Sequence, residues 1–168
     1  MALRFFKVAG IGVFVLLGFC VSTLFAAPTY DITDLGQITN PGSPDGIMIS
    51  LNDQGDVVCT NGNNMFEWRN NNKITYSNIR VHGINNSGLV VGKSGNNAYV
   101  KDFFNDTATG TTLPGLSNGL DTAYAVNNAG QIVGTSSSSG QQAMIWENGT
   151  NGWVGDKLSG GNNAYGIS

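Results

Sequence analysis

Ser50-Leu51-Asn52-Asp53-Gln54-Gly55-Asp56-Val57-Val58 is copied twice further along the chain. It recurs as Gly83-Ile84-Asn85-Asn86-Ser87-Gly88-Leu89-Val90-Val91-Gly92 and as Ala125-Val126-Asn127-Asn128-Ala129-Gly130-Gln131-Ile132-Val133-Gly134. The glycines at 55, 88 and 130 set periods of 33 and 42 residues. Tyr165-Gly166-Ile167-Ser168 reads as the start of a further copy, up to the place where Asn would stand. An aliphatic residue, Asn, two more residues, Gly and a new apolar run spell strand, tight turn, strand. Asn and Gly suit the turn because both tolerate positive φ. Asn52, Gly55, Asn85, Gly88, Asn127 and Gly130 are therefore expected to be structural turn residues.

A second line follows each first one: Met65-Phe66-Glu67-Trp68, Ala98-Tyr99-Val100-Lys101 and Ala143-Met144-Ile145-Trp146. Its last residue lies 13, 13 and 16 residues after the glycine, which places an extra loop at Ser136 to Gly140. A looser third element reads Ile32-Thr33-Asp34-Leu35-Gly36, Lys73-Ile74-Thr75-Tyr76 and Thr111-Thr112-Leu113-Pro114-Gly115. The sequence thus predicts an all-β repeat protein of four-stranded blades, with repeats near 47–76, 81–113 and 122–158 and another starting at 163. Four strands per period suit a β-propeller blade, about 40–45 residues long. A β-solenoid is the alternative, although its coils are usually shorter and more regular. A propeller needs at least about four blades to close. Residues 28–168 therefore predict a partial propeller, either a piece of a longer chain or one completed by self-assembly.

These lines resemble the HAF-repeat family of extracellular bacterial repeat proteins. The resemblance covers Tyr30 to Ser168 and includes the opening from Ala27-Pro28-Thr29-Tyr30 to Asp34-Leu35-Gly36. The His-Ala-Phe triplet of that family is replaced by Asn64-Met65-Phe66, Asn97-Ala98-Tyr99 and Gln142-Ala143-Met144, so no copy keeps the His. The resemblance implies an exported β-repeat protein with no catalytic residues to carry over.

Export is also written in residues 1–27. Arg4 and Lys7 precede an apolar run from Val8 to Leu17, continued by Phe19, Val21 and Phe25 and closed by Ala26-Ala27. That order describes a secretory signal peptide, with an uncleaved N-terminal membrane anchor as the alternative. Either sends the remainder outside the cytoplasm, to a secreted, periplasmic or cell-surface location. Without Arg4 and Lys7, 6 cations face 11 carboxylates, a net charge of −5. Such a balance argues against nucleic acid and anionic membranes as partners. With 24 Gly and 21 Asn among 168 residues, a mostly helical fold is excluded as well.

Few residues carry chemistry. Cys59 is the only thiol after the signal segment and reads as a small apolar residue. His82, the sole His, stands where Tyr124 and Tyr165 stand in later copies, so it reads as a packing position. The Asn-rich turns have too few carboxylates for calcium, and zinc lacks His and Cys ligands. Glu67 and Glu147, the only two Glu, are expected on a solvated rim. No catalytic residue, metal site or cofactor is expected. Trp68, Tyr99, Trp146 and Trp153 are the binding candidates, since aromatics stack on sugars and anchor interfaces. Trp68 and Trp146, at one repeat position, also suit packing between repeats. The expected function is an exported, non-catalytic module that binds a glycan or protein or serves structurally. An exported glycan hydrolase, with Asp102 or Asp121 as its carboxylates, is the alternative.

Overall fold

The computed structural model describes residues 48–69, 72–105, 109–116, 119–138 and 140–168. Residues 1–27, read above as an export signal, and the Ile32–Gly36 line lie outside them. All regular structure in the described residues is β. The strands are β1 (Ile49–Leu51), β2 (Val57–Asn61), β3 (Asn64–Arg69), β4 (Asn72–Ser77), β5 (Ile79–Ile84), β6 (Leu89–Ser94), β7 (Asn97–Asp102), β8 (Thr111–Thr112), β9 (Thr122–Val126), β10 (Ile132–Ser137), β11 (Gln141–Gly149) and β12 (Gly152–Lys157). They form three antiparallel four-stranded sheets, β1–β4, β5–β8 and β9–β12, each in sequential order. Each sequence repeat therefore makes one meander, its first line forming strands one and two and its second line strand three.

The Asn turns close as their residue types require. Gly55, Gly88 and Gly130 have φ of 81°, 76° and 85°. Their N–H groups donate to the carbonyls of Asn52, Asn85 and Asn127 at 3.0–3.1 Å. Asn52 Oδ1 accepts from Gln54 N and Asp56 N, and Asn85 Oδ1 accepts from Ser87 N and Leu89 N. The Asn Nδ2 groups face the other way, across the sheets. Asn52 Nδ2 donates to the Asn85 carbonyl at 3.3 Å, Asn85 Nδ2 to that of Asn127 at 2.9 Å, and Asn127 Nδ2 to that of Ser168 at 3.3 Å. One side chain thus shapes its own turn and ties it to the next.

Burial follows strand alternation. Val58, Thr60 and Met65 face the second sheet and pack with Val81, Val90, Tyr99 and Phe103. The opposite side of the second sheet, with Val91, Ala98 and Val100, packs on Ile132, Met144 and Trp146 of the third. The segment after β12 covers the third sheet: Ala164 N–H donates to the Gly134 carbonyl and Thr135 Oγ1 to that of Asn162. His82, Tyr124 and Tyr165 form a column, with ring centroids 5.4 and 4.9 Å apart, in agreement with the packing role expected of His82.

Two expectations change. The three additional residues of the third repeat do not make a loop from Ser136 to Gly140. Ser136 and Ser137 continue β10, pairing with Gln142 and Gln141, so the insertion lengthens a hairpin. Glu67 is not on a solvated rim but is 1% exposed. It meets the Lys101 ammonium at 3.0 Å and accepts from the Tyr76 hydroxyl at 3.1 Å.

Sharp bends in β5 and β9 bring backbone against backbone at Gly92 and Gly134. The register shifts between Val81 and Gly83 in one case and between Val133 and Gly134 in the other. A Cβ at Gly92 would lie 1.9 Å from the Arg80 carbonyl oxygen, and one at Gly134 would lie 2.0 Å from that of Thr122. Backbone cannot yield as a side-chain tip can. Gly92→Ala and Gly134→Ala are each expected to cost about 1–3 kcal/mol in thermal unfolding. Gly140→Ala, with open space around it, should stay within about 0.5 kcal/mol of the parent.

Candidate functional site

The four aromatic candidates separate by burial. Trp146 is fully buried, and its Nε1 donates to the Pro114 carbonyl at 2.7 Å. Tyr99 is 3% exposed and gives its hydroxyl proton to the Thr109 carbonyl at 3.0 Å. Burial first, and then the Glu67 charge, push the Tyr99 hydroxyl up to about 12, so it stays a donor. Trp68 is half-buried, with its Nε1 enclosed. Tyr99 and Trp146 are occupied in packing. Trp153, also half-buried, packs against the core shared by the second and third sheets and borders an open cavity.

That cavity is a cleft between the second and third sheets. Two hollows, about 560 and 360 Å³, share Leu89, Asn148 and Trp153. Gln131 and Glu147 line the first; Asp102 and Thr111 line the second. The cleft opens because the repeats differ at one position. Phe103 occupies it in the second repeat, is fully buried, and packs under Arg69 at 5.3 Å. Asn148 takes that place in the third repeat and is exposed. The junction between the first two sheets is thereby plugged, while the next is not.

The strand ends fix the polar groups. Asn148 pairs with Trp153 across β11 and β12, and the hairpin closes at Gly152, whose φ is 104°. Gln131 Nε2 donates a short 2.5 Å hydrogen bond to Glu147 Oε1. Asp102 Oδ1 accepts from Phe104 N at 2.9 Å. An aromatic floor ringed by two amides, two carboxylates and a hydroxyl can stack on a sugar ring and bond its hydroxyls. Sequence reasoning found Trp153 but missed Leu89, Asn148, Gln131 and Thr111. Their only trace was the break in repeat pattern at Asn148.

The remaining candidates are structural. Asp121 is 2% exposed and accepts from Ser136 Oγ. The Cys59 thiol is pushed up by burial, against a lowering influence of Lys73, and so is less nucleophilic than an ordinary thiol. Among the described residues, no group of three or more His, Cys, Asp and Glu side chains could hold a metal ion. No family model, curated protein or solved structure matches this chain.

Proposed function

We propose that this chain is an exported, non-catalytic binding module that holds a neutral glycan in the cleft floored by Trp153. The Trp153 cleft carries the reading: a half-buried aromatic ring beside amide and carboxylate groups, between the second and third sheets. Export rests on the signal-like residues 1–27. We read the three sheets as blades of a partial β-propeller, in keeping with sequential four-stranded meanders stacked face to face and with the resemblance to HAF-repeat proteins. In that arrangement the cleft lies between two blades. Trp153→Ala is expected to reduce binding to a neutral oligosaccharide array at least tenfold, with its melting temperature near the parent value. Unchanged array binding by Trp153→Ala would overturn the assignment.

A hydrolytic reading draws on one observation, that Glu147 lines one hollow of the cleft and Asp102 the other. A pair of carboxylates is the usual equipment of glycoside hydrolysis. Release of reducing ends from the bound oligosaccharide, lost in both Asp102→Asn and Glu147→Gln, would replace the binding reading with this one.

A further inference from the structure

The side that each sheet turns to its predecessor is apolar. In the second sheet it carries Ile84, Val90 and Tyr99, and in the third Ile132, Met144 and Trp146, all buried in the two cores. The first sheet repeats these positions as Leu51, Val57, Phe66 and Trp68. Cross-strand pairing of Leu51, Val57 and Trp68, and of Ile49, Cys59 and Phe66, puts all six on one side. Ile49 and Leu51 are 61% and 68% exposed, and the other four are half-buried. Among the described residues, neither core includes any of the six. Lys73 borders the strip, its ammonium 4.2 Å from the Phe66 ring centroid. Trp68 Nε1 is enclosed, yet it has no hydrogen-bond partner among the described residues. A buried donor left in this state is costly, so the face calls for an acceptor as well as apolar cover.

The third sheet shows how both needs are met. Leu113 is buried in the core with Met144 and Trp146, and Leu116 packs against it. Between them the Pro114 carbonyl accepts from Trp146 Nε1 at 2.7 Å. Pro114 stands 32 residues before Trp146, and 32 residues before Trp68 stands Gly36. Leu35 and Ile38 flank Gly36 at the same spacing as Leu113 and Leu116 flank Pro114. A backbone carbonyl is all that the indole requires, so the change from Pro to Gly costs nothing there. Leu35–Ile38 lies outside the described residues, and the chain leading from it enters the structure at β1, on this same sheet. The ten residues between Ile38 and Ile49 reach about 35 Å, more than the roughly 15 Å across four strands.

We infer that the open side of the first sheet is a docking face for Leu35–Ile38 of the same chain, with the Gly36 carbonyl accepting from Trp68 Nε1. Leu35 and Ile38 take the places of Leu113 and Leu116, over Phe66 and Trp68. The segment thereby covers an apolar strip that would otherwise invite a second copy. The face is separate from the Trp153 cleft and does not depend on it.

The test is NMR on the isotope-labelled full chain, where the Trp68 indole signal is the one lost in Trp68→Phe. Its deuterium exchange is expected to be slow at every protein concentration, with nuclear Overhauser contacts to the Leu35 or Ile38 methyls. In Leu35→Asp that exchange should become at least tenfold faster, while exchange at the Trp146 indole is unchanged. Ile38→Ala, a milder change, keeps the test open should Leu35→Asp unfold, and is expected to shift the Trp68 signal but not that of Trp146. Fast exchange at Trp68 in the parent, or no contact to either methyl, would overturn the inference. So would a Trp68 signal and exchange rate unmoved in both variants. Protection that fades on dilution would assign the face to a second copy and overturn it as well.

Discussion

Lys101→Met is expected to lower stability by about 3–5 kcal/mol in urea unfolding at neutral pH. The loss comes from stranding Glu67. Both side chains are essentially unexposed, and the ammonium also bonds the Asp102 carbonyl at 3.1 Å and sits 4.6 Å from the Tyr76 ring centroid. Without Lys101, the Glu67 carboxylate keeps the Tyr76 hydroxyl but loses its counter-charge inside the packing of two sheets. Burial already raises the Glu67 carboxyl above its usual value, with Lys101 the main opposing influence, followed by Tyr76 and Arg69. A carboxyl with a folded pKa above its unfolded one takes up protons first in the folded state. Its contribution therefore favours folding as pH falls through that interval and disfavours it as pH rises. Removing Lys101 widens the interval, so the deficit of Lys101→Met should shrink between pH 7 and pH 4. An equal deficit at both pH values would refute this account. Replacing the pair together, as Glu67→Leu with Lys101→Met, should recover most of the loss, because it leaves no unpaired charge.

Asn85→Ala should cost about 3–5 kcal/mol, from hydrogen bonds worth about 1 kcal/mol each and buried groups that cost up to about 3 when unpaired. Three partners are lost at once: Ser87 N at 3.0 Å, Leu89 N at 2.8 Å and the Asn127 carbonyl at 2.9 Å. Asn85→Asp keeps the first two but turns a carboxylate oxygen toward a carbonyl, and should fall between Ala and the parent. Neighbouring Asn86 also joins two repeats, through Asn128 and Asp53, but in solvent. Asn86→Ala should therefore cost no more than about 0.5 kcal/mol. Chemical denaturation ranks the three, and faster amide exchange at Ser87 and Leu89 in Asn85→Ala would locate the damage. A penalty for Asn85→Ala no larger than that of Asn86→Ala would refute the ladder's importance.

The four-strand meander was legible because each line of the repeat carries its own period and turn residues. Gly55, Gly88 and Gly130 announced their positive φ, and Val57–Val58 and Val90–Val91 their short strands. Asn85 announced only half its role. Its turn is local and visible in sequence, whereas the amide hydrogen bond to Asn127 spans 42 residues and requires the sheets to be stacked. Glu67 was misjudged for the same reason. Nothing near it in sequence pairs with it, and the partner, Lys101, occupies the position held by Trp68 and Trp146 in the other repeats. Residues at the cleft were hidden differently: Asn148 looks like one more turn Asn until Phe103 shows what the position can hold.

The asparagine ladder has a consequence for how such a chain can change length. Every rung pairs the amide of one asparagine with the carbonyl of the next repeat, and Ser168 accepts at the last rung as readily as an Asn does. The rung needs only a backbone carbonyl from its neighbour, so it is indifferent to which repeat that is. Duplication or deletion of one whole period leaves every rung matched. The Glu67–Lys101 pair and the Phe103 plug are not indifferent: each belongs to one junction, and a shuffled order would bury a carboxylate against Trp146 instead of Lys101. Copy number is free under the first contact, and copy order is held by the second.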